Sequence, residues 1–180
     1  MADFKKYESR LMVSEGSGYH NKPTDKGGPT TSGITYTTYK LFYPDKSLAD
    51  FKTMPYAEWY HIMKEGFWDR CKADQIKNQS IAEIFVDWTI NSGWGKIKDV
   101  QKIVGVNPDG IVGPKTIAAI NSCNAQALHY LIKKARHLWF MKCVDGSRDL
   151  NPRASILPVN IANYDGWCNR LDRFQWDKMK

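Results

Sequence analysis

Phe4, Tyr7 and Leu11 recur at i, i+3 and i+7, a spacing that predicts an amphipathic helix over residues 3–14. The stripe ends at Glu15-Gly16-Ser17-Gly18, where two glycines supply a stop. Residues 16–35 are rich in Gly, Pro, Thr and Asn and show no periodicity. A loop longer than about 12–15 residues inside a compact domain is commonly functional or disordered. Thr-rich runs flank Gly27-Gly28, so part of the segment fits a small β-hairpin. Beyond it the signals turn helical. Thr53 and Pro55 open a helix carrying Trp59, Ile62, Met63 and Phe67. Ser80 and Glu83 have capping-box spacing, and Ile81, Ile84, Phe85 and Trp88 follow on one face. A short helix near 97–104 meets the turn Asn107-Pro108-Asp109-Gly110, and Gly113-Pro114 restarts a helix through Ile120. Two more helices are predicted, over 125–143 and about 158–176. The fold class is mainly α: a single compact unit with one Gly-rich loop.

Charge divides unevenly along this pattern. Residues 1–93 hold 12 Lys/Arg and 12 Asp/Glu; residues 94–180 hold 14 Lys/Arg and 7 Asp, so the net charge of +7 belongs to the second half. Such a surface suits an anionic polymer (nucleic acid, membrane surface or cell wall) or serves as a solvated basic face. No nucleic-acid recognition motif accompanies it. No apolar run approaches the length of a membrane span, which argues against stable membrane insertion. The opening Met1-Ala2-Asp3-Phe4-Lys5-Lys6-Tyr7-Glu8 lacks the apolar core of a secretion signal. Cys71, Cys123, Cys143 and Cys168 form no CxxC pair and are expected as free, mostly buried thiols. The four histidines are scattered, so no metal site and no cofactor are expected.

The five glutamates are Glu8, Glu15, Glu58, Glu65 and Glu83. Four have structural explanations, Glu83 in its capping box and the other three on solvated helix faces. Glu15 stands where the first helix meets the loop, a place where desolvation can raise a carboxyl pKa, although a plain helix-end carboxylate fits as well. Asp25 lies in the same loop. Two carboxylates flanking a cleft are the minimum kit of most glycosidases, while Asp before a Gly-rich stretch is also a common turn former. Asp87 and Asn91, at i and i+4, share one helical face. They either line a cleft floor and hydrogen-bond sugar groups or form a polar face anchoring the Gly93 turn. Tyr19 and Tyr36 are candidate sugar platforms or core-rim residues.

The block Glu15-Gly-Ser-Gly-Tyr19 … Pro23-x-Asp25-x-Gly27-Gly28-x-Thr30-x-x-Gly33-Ile34-Thr35 resembles the opening of the glycoside hydrolase family 108 lysozymes. Phe67-Trp68-Asp69 and Phe85-Val86-Asp87-Trp88-Thr89-Ile90-Asn91-Ser92-Gly93 continue the resemblance. Val100-Gln101-Lys102-Ile103-Val104-Gly105-Val106, followed by Asp109-Gly110-Ile111-Val112-Gly113-Pro114-Lys115-Thr116, is similar to the peptidoglycan-binding segment that accompanies the family, and Gly166-Trp167-Cys168-Asn169-Arg170-Leu171 to its C-terminal signature. Two departures stand out: Ser17 adds a residue between Glu and Tyr, and Asn21-Lys22-Pro23 replaces Asn-Asp-Pro.

The resemblance implies a lysozyme-like helical fold, with residues 1–93 as the catalytic region and 94–180 as a peptidoglycan-binding region packed on it. It implies an N-acetylmuramidase, of the kind found in phage endolysins and secretion activators. Glu15 would be the general acid, with Asp25 and Thr30 orienting water or stabilising the oxocarbenium-like centre. Tyr19, Thr35, Tyr36, Asp87 and Asn91 would contact substrate. The expected partner is peptidoglycan, met by a monomer that is cytoplasmic after synthesis and acts on the wall after release. A lytic transglycosylase and a non-catalytic peptidoglycan-binding or secretion accessory protein are the competing readings.

Overall fold

In the computed structural model, residues 1–15, 18–21, 28–145 and 158–176 are described. Among them the chain is mainly α-helical with one small antiparallel sheet. It divides into two compact units, Asp3–Arg70 on one side and Met1–Ala2 with Cys71–Lys180 on the other.

The first unit begins with α1 (Phe4–Glu15). Its apolar stripe buries Phe4, Tyr7 and Leu11. Phe4 meets Tyr60 and Trp68 edge-on, each at 5.5 Å between ring centres, and Tyr7 stacks on Trp68 at 5.9 Å. Three two-residue strands follow: β1 (Tyr19–His20), β2 (Thr30–Thr31) and β3 (Ile34–Thr35), in sheet order β1-β2-β3. Thr31 pairs with Tyr19 on one side and Ile34 on the other. The β2–β3 turn is Ser32-Gly33, both at positive φ (46° and 79°), the backbone that a two-residue hairpin of right-handed twist requires. The hairpin expected around Gly27-Gly28 corresponds to the antiparallel β1–β2 pair, whose connection contains both glycines; Gly27 itself lies outside the described residues, and Ser32-Gly33 is a second turn.

Thr35 ends β3 and caps α2 (Tyr36–Phe42), its hydroxyl accepting from the Thr38 amide at 3.2 Å. Ser47 and Asp50 form a capping box at α3 (Leu48–Lys52), whose Phe51 is fully buried among Tyr19, Tyr36 and Tyr39. The helix expected after Pro55 is α4 (Tyr56–His61), continued by a π-helical stretch, Ile62–Asp69. There Gly66 has no side chain because the Phe42 ring occupies the space a Cβ would take.

The second unit is built around α5 (Gln79–Ser92), in which all ten residues from Ser80 to Thr89 are buried. A helix buried on every side needs neighbours all round. The capping box expected at Ser80 and Glu83 gives way to Asn78, whose side chain accepts from the Ile81 amide at 3.1 Å. With the helix starting earlier, Ser80 and Glu83 are interior, and Glu83 instead accepts from Gln79 Nε2 at 2.7 Å. After α5 come α6 (Lys96–Ile103), α7 (Pro114–Ser122), α8 (Ala125–Asp145) and α9 (Pro158–Asp172). Helix α8 packs against α5, α6 and α9. All four cysteines are free; Cys71 and Cys143 are buried, Cys168 is half-buried and Cys123 is exposed, so burial holds for two rather than most of them.

Candidate active site

Glu15 is the last residue of α1, and β1 begins four residues later at Tyr19. Four residues of extended chain reach at most about 14 Å, which tethers the Glu15 backbone close to the sheet. Asp25 lies outside the described residues. Thr30 is half-buried in β2, and its hydroxyl donates to the Gly28 carbonyl at 3.1 Å, leaving the oxygen's lone pairs available.

Tyr19 and Tyr36 converge on one ring. Phe51 lies 6.5 Å from Tyr19 and 5.2 Å from Tyr36 between ring centres, and Lys52 Nζ sits 5.0 Å over the Tyr19 ring. Both tyrosines are half-buried, so each combines a core-facing edge with an accessible one. The Tyr36 amide donates to Pro29 O at 2.8 Å, and Trp59 Nε1 donates to Ser32 O at 3.1 Å, so the sheet is fixed from two helices. The Thr35 hydroxyl is engaged in capping α2, where it also meets Thr38 Oγ1 at 3.0 Å.

Asp87 requires a correction. Its carboxylate is buried and faces two arginines rather than an open cleft floor. Arg136 Nη2 donates to Oδ2 at 2.8 Å; Arg170 donates through Nε to Oδ2 at 3.0 Å and through Nη2 to Oδ1 at 2.5 Å. Burial pushes this carboxyl pKa up, but the guanidiniums, Arg170 ahead of Arg136, hold it well below the usual carboxylate range. The expectation that Asp87 offers hydrogen bonds to a sugar fails because its oxygens already serve these donors. Asn91, one turn further on, is half-buried and accepts from Ser92 Oγ at 3.4 Å.

The residues resembling a peptidoglycan-binding segment also have an internal job. Gln101 is fully buried, donating through Nε2 to Asp109 Oδ1 (2.8 Å), Ile111 O (3.0 Å) and Thr116 Oγ1 (3.2 Å), while its Oε1 accepts from the Gly110 amide (2.8 Å). The motif is therefore a staple that closes the Asp109-Gly110 turn onto α6 and α7. Sequence reasoning singled out neither Gln101 nor the arginines as functional. Arg170 was visible inside the C-terminal signature, but its partner is 83 residues away.

Among the described residues, no group of three His, Cys, Asp or Glu side chains is placed to hold a metal ion, and no helix is long and apolar enough to cross a membrane.

The helical scaffold and small sheet are those of a lysozyme-like glycosidase, and the comparisons make the class specific. The family model for glycosyl hydrolase 108 matches residues 9–93, and that described as a predicted peptidoglycan domain matches residues 96–172. The solved structure of Brucella abortus SagA is similar over 95% of this chain and 90% of its own, with 28% identity and a TM-score of 0.80. No curated protein matches the sequence. The chain thus carries a glycosyl hydrolase 108 domain followed by the predicted peptidoglycan domain. It is a glycoside hydrolase directed at peptidoglycan.

Proposed function

We propose that the enzyme is an N-acetylmuramidase, hydrolysing the β-1,4 bond between N-acetylmuramic acid and N-acetylglucosamine. The observation that carries this reading is the family match over residues 9–93, in which Glu15 closes α1 directly ahead of the glycine-rich loop. Glu15 is the general acid that protonates the leaving glycosidic oxygen. A carboxyl acid in that role must keep its proton near neutral pH. Asp25, in the segment joining β1 to β2, orients the attacking water or stabilises the oxocarbenium-like centre. Thr30, its hydroxyl proton committed to Gly28 O, accepts from that water. Tyr19 and Tyr36 present their accessible edges to the sugar rings.

The test is digestion of purified peptidoglycan with mass spectrometry of the released muropeptides. Products with a reducing N-acetylmuramic acid end are expected. Anhydro-muramic ends would assign a lytic transglycosylase instead, and binding without release would assign an accessory protein. Glu15→Gln keeps size and removes the transferable proton. It should fold normally and lose about 10²–10⁴-fold in turnover, the usual worth of a general acid. Turnover at the wild-type rate would overturn the assignment of Glu15.

A further inference from the structure

A groove of about 360 Å³ lies between α8 and α9, and none of the residues assigned to hydrolysis lines it. This volume falls at the lower end of small-ligand sites, enough for a few residues of peptide. One wall is a single face of α8, where Tyr130, Lys133, Lys134 and His137 stand at i, i+3, i+4 and i+7. The other is α9, which contributes Leu171 and Asp172.

The chemistry of this lining is amphoteric. Leu171 is buried and gives an apolar floor, and the Tyr130 ring is exposed beside it. Lys133 Nζ pairs with Asp172 Oδ1 at 3.1 Å on the rim. Lys134 is exposed, and among the described residues nothing pairs with it. His137 Nε2 is held by the Tyr164 hydroxyl at 2.7 Å. The groove thus offers an ammonium for a carboxylate, the accessible Asp172 for an amine, and an apolar surface for methyl groups.

We propose that this groove binds the peptide stem of peptidoglycan rather than its glycan. The inference rests on the peptidoglycan reading above and names the part of the polymer recognised. N-acetylated sugars bearing amide-linked stems are neutral along the strand. The carboxylates, the amine of the diamino acid and the alanine methyls all reside on the stem. A polyanion backbone would call for a row of cations along an open surface, whereas this site mixes both charge signs over a short length.

The experiment titrates the full chain with two probes: a free stem tetrapeptide containing diaminopimelate, and a peptide-free glycan oligomer. It is repeated with Lys134→Glu and with Lys6→Glu, an equal charge change at an exposed position of α1. The wild type and Lys6→Glu should bind the tetrapeptide alike, and Lys134→Glu about tenfold or more weakly, the size of one charge-assisted contact. Binding and cleavage of the peptide-free glycan should not change with Lys134→Glu. The proposal is overturned if the tetrapeptide does not bind, if Lys134→Glu binds it as the wild type does, or if Lys6→Glu loses as much. The two readings fail separately. An absence of glycan cleavage removes the hydrolase assignment while the tetrapeptide titration still decides the groove, and active cleavage without tetrapeptide binding removes the groove alone.

Discussion

Arg170 crosses 83 residues of sequence to close on Asp87, giving the carboxylate a two-pronged grip through Nε and Nη2 at 3.0 and 2.5 Å. With Arg136 on the same carboxylate, one acidic side chain ties α5 to both α8 and α9. Removing one member of a buried, hydrogen-bonded ion cluster typically costs about 3–5 kcal/mol, because the charges left behind are uncompensated. Asp87→Asn is therefore expected to lower the unfolding free energy by that amount, measured by urea denaturation. Because the folded-state pKa of Asp87 lies below its unfolded value of about 3.9, its contribution is complete above that pH and is lost as the pH falls below it. The variant's stability should follow pH less steeply on that acid limb than the wild type's.

His129 predicts a second pH dependence at milder acidity. It is buried on α8, with its ring 5.7 Å from Trp176. Burial first, and then the neighbouring Lys133, push its pKa from 6.5 down to about 4. Between those values the unfolded chain takes up a proton that the folded chain refuses, so stability falls as the pH drops from 6.5 towards 4. His129→Leu should flatten the urea midpoint across this window; an unchanged slope would show that the imidazole does not set it.

The long helices were legible because their apolar stripes repeat over several turns, as Phe4, Tyr7 and Leu11 do in α1. Helices α2 and α3, with seven and five residues, are too short to display a period, and the loop reading stopped just where α2 begins. The π-helical stretch left no trace in the apolar pattern, and the contact made within it, the Phe42 ring against Gly66, is a tertiary one. Ser80 and Glu83 misled because capping-box spacing also occurs inside a helix, and Asn78 won by standing just ahead of it. Of the candidate site, the position of Glu15 at a helix end was readable from the glycines that follow it. The fate of Asp87 was not, because i and i+4 spacing identifies a face without saying what covers it. Here the cover is Arg136 and Arg170, respectively 49 and 83 residues further along the chain.

Gln101 yields a test of the staple. Truncation to Ala removes three donated bonds and one accepted bond, and leaves the Gly110 amide and Thr116 hydroxyl to find other partners. Each buried group left unsatisfied costs about 1–3 kcal/mol. Gln101→Ala should thus lose at least about 2 kcal/mol of stability by urea denaturation. At temperatures where the variant stays folded, its binding to isolated peptidoglycan should match the wild type's. A binding defect in a fully folded Gln101→Ala protein would mean that the motif touches the polymer directly.

The last prediction concerns where the chain can be cut. The hydrolase match ends at residue 93, yet the compact unit holding α5 runs from Cys71 to the C-terminus. A piece comprising residues 1–93 would keep α5 and lose α6, α8 and α9, two of which supply the arginines for Asp87. Buried Ile81, Ile84, Phe85 and Trp88 lie on α5, which would lose the packing of α6 and α8. Fully burying such a side chain is worth about 1.5–3 kcal/mol, so four of them approach the about 5–15 kcal/mol that stabilises a whole domain. Asp87 would also be left without either guanidinium. The 1–93 piece is expected to give a poorly dispersed amide spectrum, no cooperative melt and no peptidoglycan hydrolysis, even though it holds Glu15, Asp25 and Thr30. A dispersed spectrum with a sharp melt would show that α5 finds sufficient cover without the helices that follow it. In that case the hydrolase match would be an autonomous folding unit despite the burial of Ser80–Thr89 in the full chain.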